Sequence, residues 1–200
     1  MDAIRPLKET IPFVDLWKQG EIVGPLEVPE NLRTEEFYLG DFGLAMKVDD
    51  PVTQQGYPPS QFCSPDRFHG KHLSFACNMW SYMVRFLVLY LDYPLFPTWT
   101  GGGIIGGLVR RLGPLPEEWK GLYTTPKSSD SWNDQGQTAD PNDDLAHTIA
   151  RFRPDTDSNE QELALSIILK VFTYCPEKRP TATQLLQDPS FRALMEKYGC

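Results

Sequence analysis

The chain lacks the sequence features of secreted and membrane proteins. Its four cysteines form no CxxC pair and no regular disulfide framework. The first ten residues contain no apolar signal-peptide core, and the longest apolar stretch, residues 83–91, is interrupted by Arg85 and is too short to cross a bilayer. These absences predict an intracellular protein, cytoplasmic or nuclear, with reduced thiols and no membrane partner.

Positive charge is also scarce. The 200 residues hold 19 Lys and Arg against 27 Asp and Glu, a formal net charge of -8. A general nucleic-acid binder needs a basic face, so no nucleic-acid partner is expected. Cys63, His69 and His72 lie close together, but their spacing matches no standard zinc site and a fourth ligand is missing. No Gly-x-Ser-x-Gly elbow supports a Ser/His/Asp hydrolase.

What is present indicates one core made mainly of helices. Residues 1–36 are interrupted by prolines and are predicted to be irregular, and residues 37–40 are predicted to form a short strand. Ser74 can cap a helix over about 75–91 that is apolar on nearly every side. Residues 121–160 read as a polar surface insert with one helical turn near 145–152. Helical spacing predicts further helices over about 104–112 and 161–172. A capping box at residues 181–184 predicts another helix, and Asp188 followed by Pro189 predicts the start of a last helix that runs to about Tyr198.

A short acidic motif follows the predicted strand. Asp41-Phe42-Gly43 places a carboxylate on the turn that leaves the strand, then an aromatic that can pack inward, then a glycine that lets the backbone turn. Such a turn can hold a divalent cation against the phosphates of a nucleotide. Three further phrases follow in order: Cys63-Ser64-Pro65-Asp66-Arg67, Asn78-Met79-Trp80-Ser81-Tyr82 and Pro176-Glu177-Lys178-Arg179-Pro180.

In sequence and order these phrases resemble the C-terminal part of eukaryotic protein kinases. The longer stretches GDFGLAMK, SFACNMWSYM, GPLPEEWKGLY and PEKRPTATQLLQDPSF are most similar to fungal SR-protein-kinase-like serine/threonine kinases. The resemblance implies a mainly α fold: an incomplete large, C-terminal lobe over residues 37–200, with a short residual β-strand near the metal-binding turn. It assigns residues 41–66 to the activation segment and residues 75–91 to the central helix.

The resemblance also implies roles for single residues in the activation segment. Asp41 would ligate the Mg²⁺ that bridges the phosphates of ATP, Phe42 would pack beneath that site, and Gly43 would complete the turn. Thr53 and Ser60 are hydroxyls on which phosphorylation could act by recruiting an arginine.

Two further assignments concern structure. Asp66 stands where the family usually carries glutamate, and Arg179 matches the arginine that pairs with it, so the two would clamp the segment onto the lobe through a contact loosened by the shorter side chain. Asn78 replaces an aspartate that accepts hydrogen bonds from the catalytic loop. Asn78 and Trp80 would anchor the central helix.

The family's other catalytic parts are missing from the sequence. It contains no glycine-rich phosphate loop, no strand lysine with its helix glutamate, and no His-Arg-Asp loop with its asparagine. We therefore expect a fragment of a serine/threonine kinase, acting on Arg/Ser-rich proteins in its full form but inactive as this chain stands. The alternative is a catalytically dead, kinase-like interaction module. A true loss of the missing lobe and an incomplete gene model both remain open.

The same gap has a structural consequence. The central helix would lose a packing partner and expose Leu, Phe and Tyr side chains as an apolar patch. We expect a protein substrate or a partner chain to cover this helix, or else an unstable fragment.

Overall fold

The computed structural model describes residues 6–7, 22–23, 29–33, 40, 42–47, 58–96, 103–120 and 144–200. The chain divides into two compact units, Met1–Asp41 and Phe42–Cys200. In the first unit, β1 (Pro6–Leu7) pairs with β2 (Ile22–Val23) in an antiparallel ladder. Of the strand predicted over 37–40, only Gly40 is described, and it has no regular structure.

In the second unit every regular element of the described residues is a helix, which confirms the predicted, mainly α fold class. After a short helix α1 (Pro65–Phe68), the long helix α2 spans Phe75–Leu91 as predicted. The Ser74 hydroxyl caps α2 by accepting a hydrogen bond from the Ala76 amide at 3.3 Å. At its other end Asp92 turns the chain in a left-handed conformation, with φ of 50°.

Five more helices follow: α3 (Gly103–Leu112), α4 (Leu145–Phe152), α5 (Ser158–Val171), α6 (Ala182–Gln187) and α7 (Pro189–Lys197). The predicted caps of the last two are present. Thr181 and Gln184 exchange the two hydrogen bonds of a capping box before α6. The Asp188 carboxylate accepts from two backbone amides at the start of α7.

The helical turn predicted near 145–152 is the helix α4, which has one exposed side and one buried side. Residues 121–143 lie outside the described residues, but α4 buries Leu145, Thr148 and Ile149. Asp144 caps the start of this helix, because its carboxylate accepts a hydrogen bond from the His147 amide at 2.8 Å. The predicted position of this helix was right, but the polar residues before α4 hid the amphipathic pattern by which it buries one side.

A polar cluster joins the far end of α2 to α5 and α7. The buried Glu160 carboxylate accepts hydrogen bonds from the hydroxyls of Tyr90 at 3.2 Å and Tyr198 at 2.7 Å. Arg153 donates to the Tyr90 carbonyl at 3.0 Å and to the Tyr198 hydroxyl at 3.0 Å. Burial, together with the Glu160 charge, raises the pKa of Tyr90 to about 12. The cluster fixes the C-terminal helices against the central one.

Within the described ranges, no helix is both long enough and apolar enough to cross a membrane.

Candidate functional site

The end of the 41–66 segment is held by a buried ion pair. Asp66 lies in α1, and Arg179 follows a 3-10 turn, Pro176–Lys178, far along the chain. The two Arg179 Nη atoms donate to the two Asp66 Oδ atoms at 2.6 and 2.7 Å. Both side chains have 0% exposure. The expectation of a loose contact was wrong, because the guanidinium fork meets both carboxylate oxygens.

Arg179 also uses its remaining donors. Its Nε donates to the Thr173 carbonyl at 2.9 Å, while its Nη atoms donate to the carbonyls of Tyr174 at 3.2 Å and Ala76 at 3.3 Å. With the two bonds to Asp66, this makes five hydrogen bonds for the five N–H groups of a guanidinium. A buried charge is tolerated only when it is paired and hydrogen-bonded in this way. Arg179 therefore ties α1, the start of α2 and the loop after α5 together.

Trp80 lies beside this pair at the centre of the core. It has 0% exposure, and its ring centroid lies 4.6 Å from that of Phe172 and 6.0 Å from that of Phe96. The Arg179 guanidinium lies 5.0 Å from the Trp80 ring centroid, within the range of a cation–π contact. Trp80 is thus buried in the core, where its side chain can hold the central helix in place.

Two residues that the sequence reasoning did not single out also attach the segment's end to α2. The Ser81 hydroxyl reaches the Phe62 carbonyl at 2.7 Å, and the Cys77 thiol reaches an Asp66 carboxylate oxygen at 3.7 Å. Both lie one helical turn apart on the same side of α2. The sequence could have indicated these contacts only through position: Ser81 directly follows Trp80 in the phrase Asn78-Met79-Trp80-Ser81-Tyr82.

Cys63 and His69, weighed above as zinc ligands, have other contacts. The Cys63 thiol faces the carbonyls of Pro58 at 3.6 Å and Pro59 at 3.7 Å, and His69 Nδ1 lies 2.7 Å from the Pro65 carbonyl. Burial raises the pKa of the Cys63 thiol and lowers the pKa of His69. Both side chains are buried and contact nearby backbone carbonyls, so they belong to the packing of the segment's end.

The start of the segment is different. Phe42–Leu44 form a 3-10 turn closed by a hydrogen bond from the Ala45 amide to the Phe42 carbonyl at 2.9 Å. Phe42 is 64% exposed, so the expectation that it packs inward was wrong: no element of the described residues covers it. Gly43 is exposed as well. Asp41 and Thr53 lie outside the described residues, and Ser60 is half-buried in the turn Ser60–Phe62.

One side of α2 faces solvent. Phe75 is 70% exposed, Tyr82 46% and Leu89 85%, which confirms the expected exposure of large apolar side chains on the central helix. Asn78 lies on the same side and is also exposed. Its expected role in positioning a catalytic loop stays a prediction.

Comparison with known proteins identifies the architecture. A family model described as the protein kinase domain matches residues 29–191, more than half of the chain. The chain belongs to the protein kinase family. No curated protein matches it in sequence. Among solved structures it is similar to a MAP kinase from Leishmania major, with 20% sequence identity and a TM-score of 0.48. That match covers 68% of this chain and 41% of the other.

Protein kinases as a family use ATP and Mg²⁺. The described residues of this kinase-family chain include no group of three or more His, Cys, Asp or Glu that could hold a metal ion. Asp41, the acid that the resemblance assigns to the metal, is outside those residues. The described residues show how the end of the 41–66 segment is anchored, and the expectation of metal binding rests on the Asp41-Phe42-Gly43 motif.

Proposed function

We propose that the chain is the C-terminal portion of a serine/threonine protein kinase, and that it carries the segment-docking part of the domain. The observation that carries this proposal is the fully buried Asp66–Arg179 pair with its five hydrogen bonds. A pair so completely satisfied gives the end of the 41–66 segment one fixed position on the lobe. Such a fixed position suits a surface against which a protein substrate lies.

By itself the chain should not transfer phosphate. Phosphoryl transfer requires positioned phosphates, a base for the acceptor hydroxyl and metal ligands. Of that set the 200 residues offer only Asp41 of the metal-binding motif. Bound Mg²⁺ would neutralise charge on the transferred phosphoryl group, and Asp41 is the residue that would hold it.

The substrate class proposed for the full kinase is Arg/Ser-rich protein. Two features support it: the similarity of the quoted phrases to SR-protein-kinase-like enzymes, and the formal net charge of -8. A negatively charged surface raises the local concentration of basic peptides.

The test measures two properties of the purified chain. The first is phosphate transfer from Mg-ATP to an Arg/Ser-repeat peptide; we expect none, and transfer at kinase rates, about 1–100 per second, would contradict the assignment of the missing parts. The second is calorimetry with millimolar ATP, with and without Mg²⁺. Magnesium-dependent binding that Asp41→Ala abolishes and Asp49→Ala preserves supports the kinase assignment. No binding leaves only a non-catalytic module.

That module is the second candidate, and the exposed side of α2 favours it. Phe75, Tyr82 and Leu89 present apolar surface on a helix whose opposite side is the centre of the core. Exposed apolar patches on stable proteins mark interaction sites.

A further inference from the structure

Two cysteines lie beside the buried ion pair that anchors the end of the 41–66 segment. Cys63 lies three residues before Asp66, just ahead of α1, and Cys77 lies in the first turn of α2. The Cys77 thiol reaches an Asp66 carboxylate oxygen at 3.7 Å. One cysteine therefore belongs to the segment and the other to the helix on which the segment rests, and both are free thiols.

A shared hydroxyl brings the backbones of these two cysteines together. Ser81 Oγ lies 2.7 Å from the carbonyl oxygen of Phe62, the residue before Cys63, and 3.1 Å from the carbonyl oxygen of Cys77. Burial raises the pKa of the Cys63 thiol; Arg67 opposes this shift, and Cys77, close enough to interact with the thiol, adds to it. The two cysteines are therefore neighbours in the fold, although 13 residues separate them in the sequence.

The surroundings of Cys77 do not depend on the solvent-facing side of α2. At 3.6 residues per turn, Cys77 lies about 120–160° around the helix from Phe75, Tyr82 and Leu89. Cys77 faces the segment's end and is half-buried, whereas Cys63 is only 6% exposed. A small oxidant therefore reaches the Cys77 sulfur first, and Cys63 is a protected second thiol close to it.

We propose that Cys63 and Cys77 form a disulfide when the protein meets a hydroperoxide, and that this bond locks the end of the 41–66 segment onto α2. In the first step the Cys77 sulfur takes one oxygen atom from hydrogen peroxide and becomes a sulfenic acid, and the peroxide is reduced to water. In the second step the Cys63 sulfur attacks the sulfenic sulfur, and the S–S bond forms as the hydroxyl group leaves with the thiol proton as a second water. Two thiols thus give two electrons to one peroxide, and a thiol reductant reverses the oxidation.

The present contacts of the two thiols are weak enough to be exchanged for this bond. The Cys63 thiol faces backbone carbonyls at 3.6 and 3.7 Å, and the Cys77 thiol faces the Asp66 carboxylate at 3.7 Å. Thiols are weak hydrogen-bond donors, so little is lost when they turn away. Asp66 keeps both hydrogen bonds from Arg179, and the disulfide adds a covalent anchor beside the ion pair. Its effect on segment docking rests on the proposed function, but its formation does not.

Peptide mapping of the peroxide-treated full chain tests the pairing. After treatment with hydrogen peroxide the remaining thiols are alkylated, and trypsin cleaves after Arg67 and Lys71, which lie between the two cysteines. We expect a linked pair of peptides, one with each cysteine, whose mass is two hydrogen atoms below that of the separate peptides. Dithiothreitol should separate them.

Cysteine variants provide the matched controls. The double variant Cys175→Ser/Cys200→Ser keeps only the proposed pair of thiols and should form the linked peptides as the original chain does. Cys77→Ser, which retains a small polar side chain, should abolish them. Absence of the linked pair, or linkage through Cys175 or Cys200 in its place, would overturn the proposal.

Urea unfolding of the oxidised chain shows whether the native fold holds the two cysteines at bonding distance. Cysteines whose α-carbons lie more than about 7 Å apart can be bridged only if the backbone moves. A disulfide that fits the fold restricts the unfolded chain, so we expect oxidation to raise the unfolding midpoint of the double variant and dithiothreitol to reverse the shift. A midpoint that falls on oxidation would contradict the proposal.

The outcome is distinguishable from that of the enzymatic candidate. A disulfide that forms in a chain without magnesium-dependent ATP binding supports this inference in a non-catalytic module. ATP binding through Asp41 without the disulfide removes this inference and keeps the kinase assignment.

Discussion

The two ends of the 41–66 segment differ in how closely the described residues pack against them. At its end, Asp66 is completely buried and meets a guanidinium whose donors are all used. At its start, Phe42 is 64% exposed in a 3-10 turn closed by a local hydrogen bond. Both ends carry short motifs, yet only the motif that contains Asp66 is buried in the core.

A motif takes on its geometry where the residues that pack against it are present. Arg179, Trp80 and Ser81, which receive the segment's end, all lie in the described helical unit. No element in that described part of the chain covers the segment's start. Asp66 is therefore buried by residues that the structure describes, whereas those residues leave Phe42 exposed.

The largest expected effect comes from removing Arg179. Arg179→Ala leaves the Asp66 carboxylate buried without its counter-charge, which should lower the free energy of unfolding by about 3–5 kcal/mol. Arg192→Ala, at an exposed arginine of α7, should change it by less than about 0.5 kcal/mol. Urea denaturation followed by circular dichroism measures both. Equal losses would show that the segment's end is no better anchored than its start.

The next largest difference in stability is expected between substitutions on the two sides of α2. Leu87 has 0% exposure and Leu89 85%, two residues apart on one helix. Leu87→Ala should cost about 2–5 kcal/mol by leaving a cavity, and Leu89→Ala about 0.5 kcal/mol or less. Denaturation midpoints at constant m-value compare the two. A large loss for Leu89→Ala would mean that its side is already covered.

The hydrogen bond of Ser81 to the Phe62 carbonyl attaches the segment's end more weakly than the ion pair does. Ser81→Ala removes the hydroxyl that reaches the Phe62 carbonyl at 2.7 Å and should cost about 0.5–1.5 kcal/mol. Amide hydrogen exchange around residues 60–64 should increase in the same variant, while exchange at the C-terminal end of α7 should not. An unchanged pattern would remove Ser81 from the anchor.

His69 gives the segment's end a pH dependence. Burial lowers its pKa in the folded chain below the ordinary value of 6.5, with partial opposition from the bond to Pro65 and the charge of Asp66. The unfolded state therefore binds a proton first, so stability is full above about pH 6.5 and falls as the pH drops through and below that value. His69→Gln should flatten this dependence, and His72→Gln, at an exposed histidine, should preserve it. Unfolding measured from about pH 8 to 5.5 decides the matter; equal slopes would contradict the prediction.

The smallest effect is expected at the start of the segment. Phe42→Ser removes a side chain that is mostly in solvent and should alter stability by about 0.5 kcal/mol or less. The same urea titration measures it. A loss above about 2 kcal/mol would place Phe42 in a core and erase the contrast between the two ends.

Much of the helical unit could be predicted from the sequence because its signals are local. The bounds of α2, the capping box at Thr181 and the cap at Asp188 follow from residues within one turn of each other. The Asp66–Arg179 pair spans the chain, and its prediction depended on family resemblance rather than on pattern.

Other features had no local signal. The Glu160 cluster joins residues from α2, α5 and the chain's end, and a buried glutamate near a helix start reads as an ordinary first-turn acid. The polar residues before α4 hid the fact that one side of this helix is buried. The exposure of Phe42 could not be read from its motif, because an aromatic residue packs inward only where a surface exists to receive it.

The most direct test of the central claim is a double-mutant cycle on the segment's anchor. Asp66→Ala, Arg179→Ala and the double variant are unfolded with urea under one set of conditions. The account predicts that either single change costs nearly as much as both together, because each leaves the other charge stranded. Losses that simply add would contradict it, since they would show that Asp66 and Arg179 do not hold the segment as a unit.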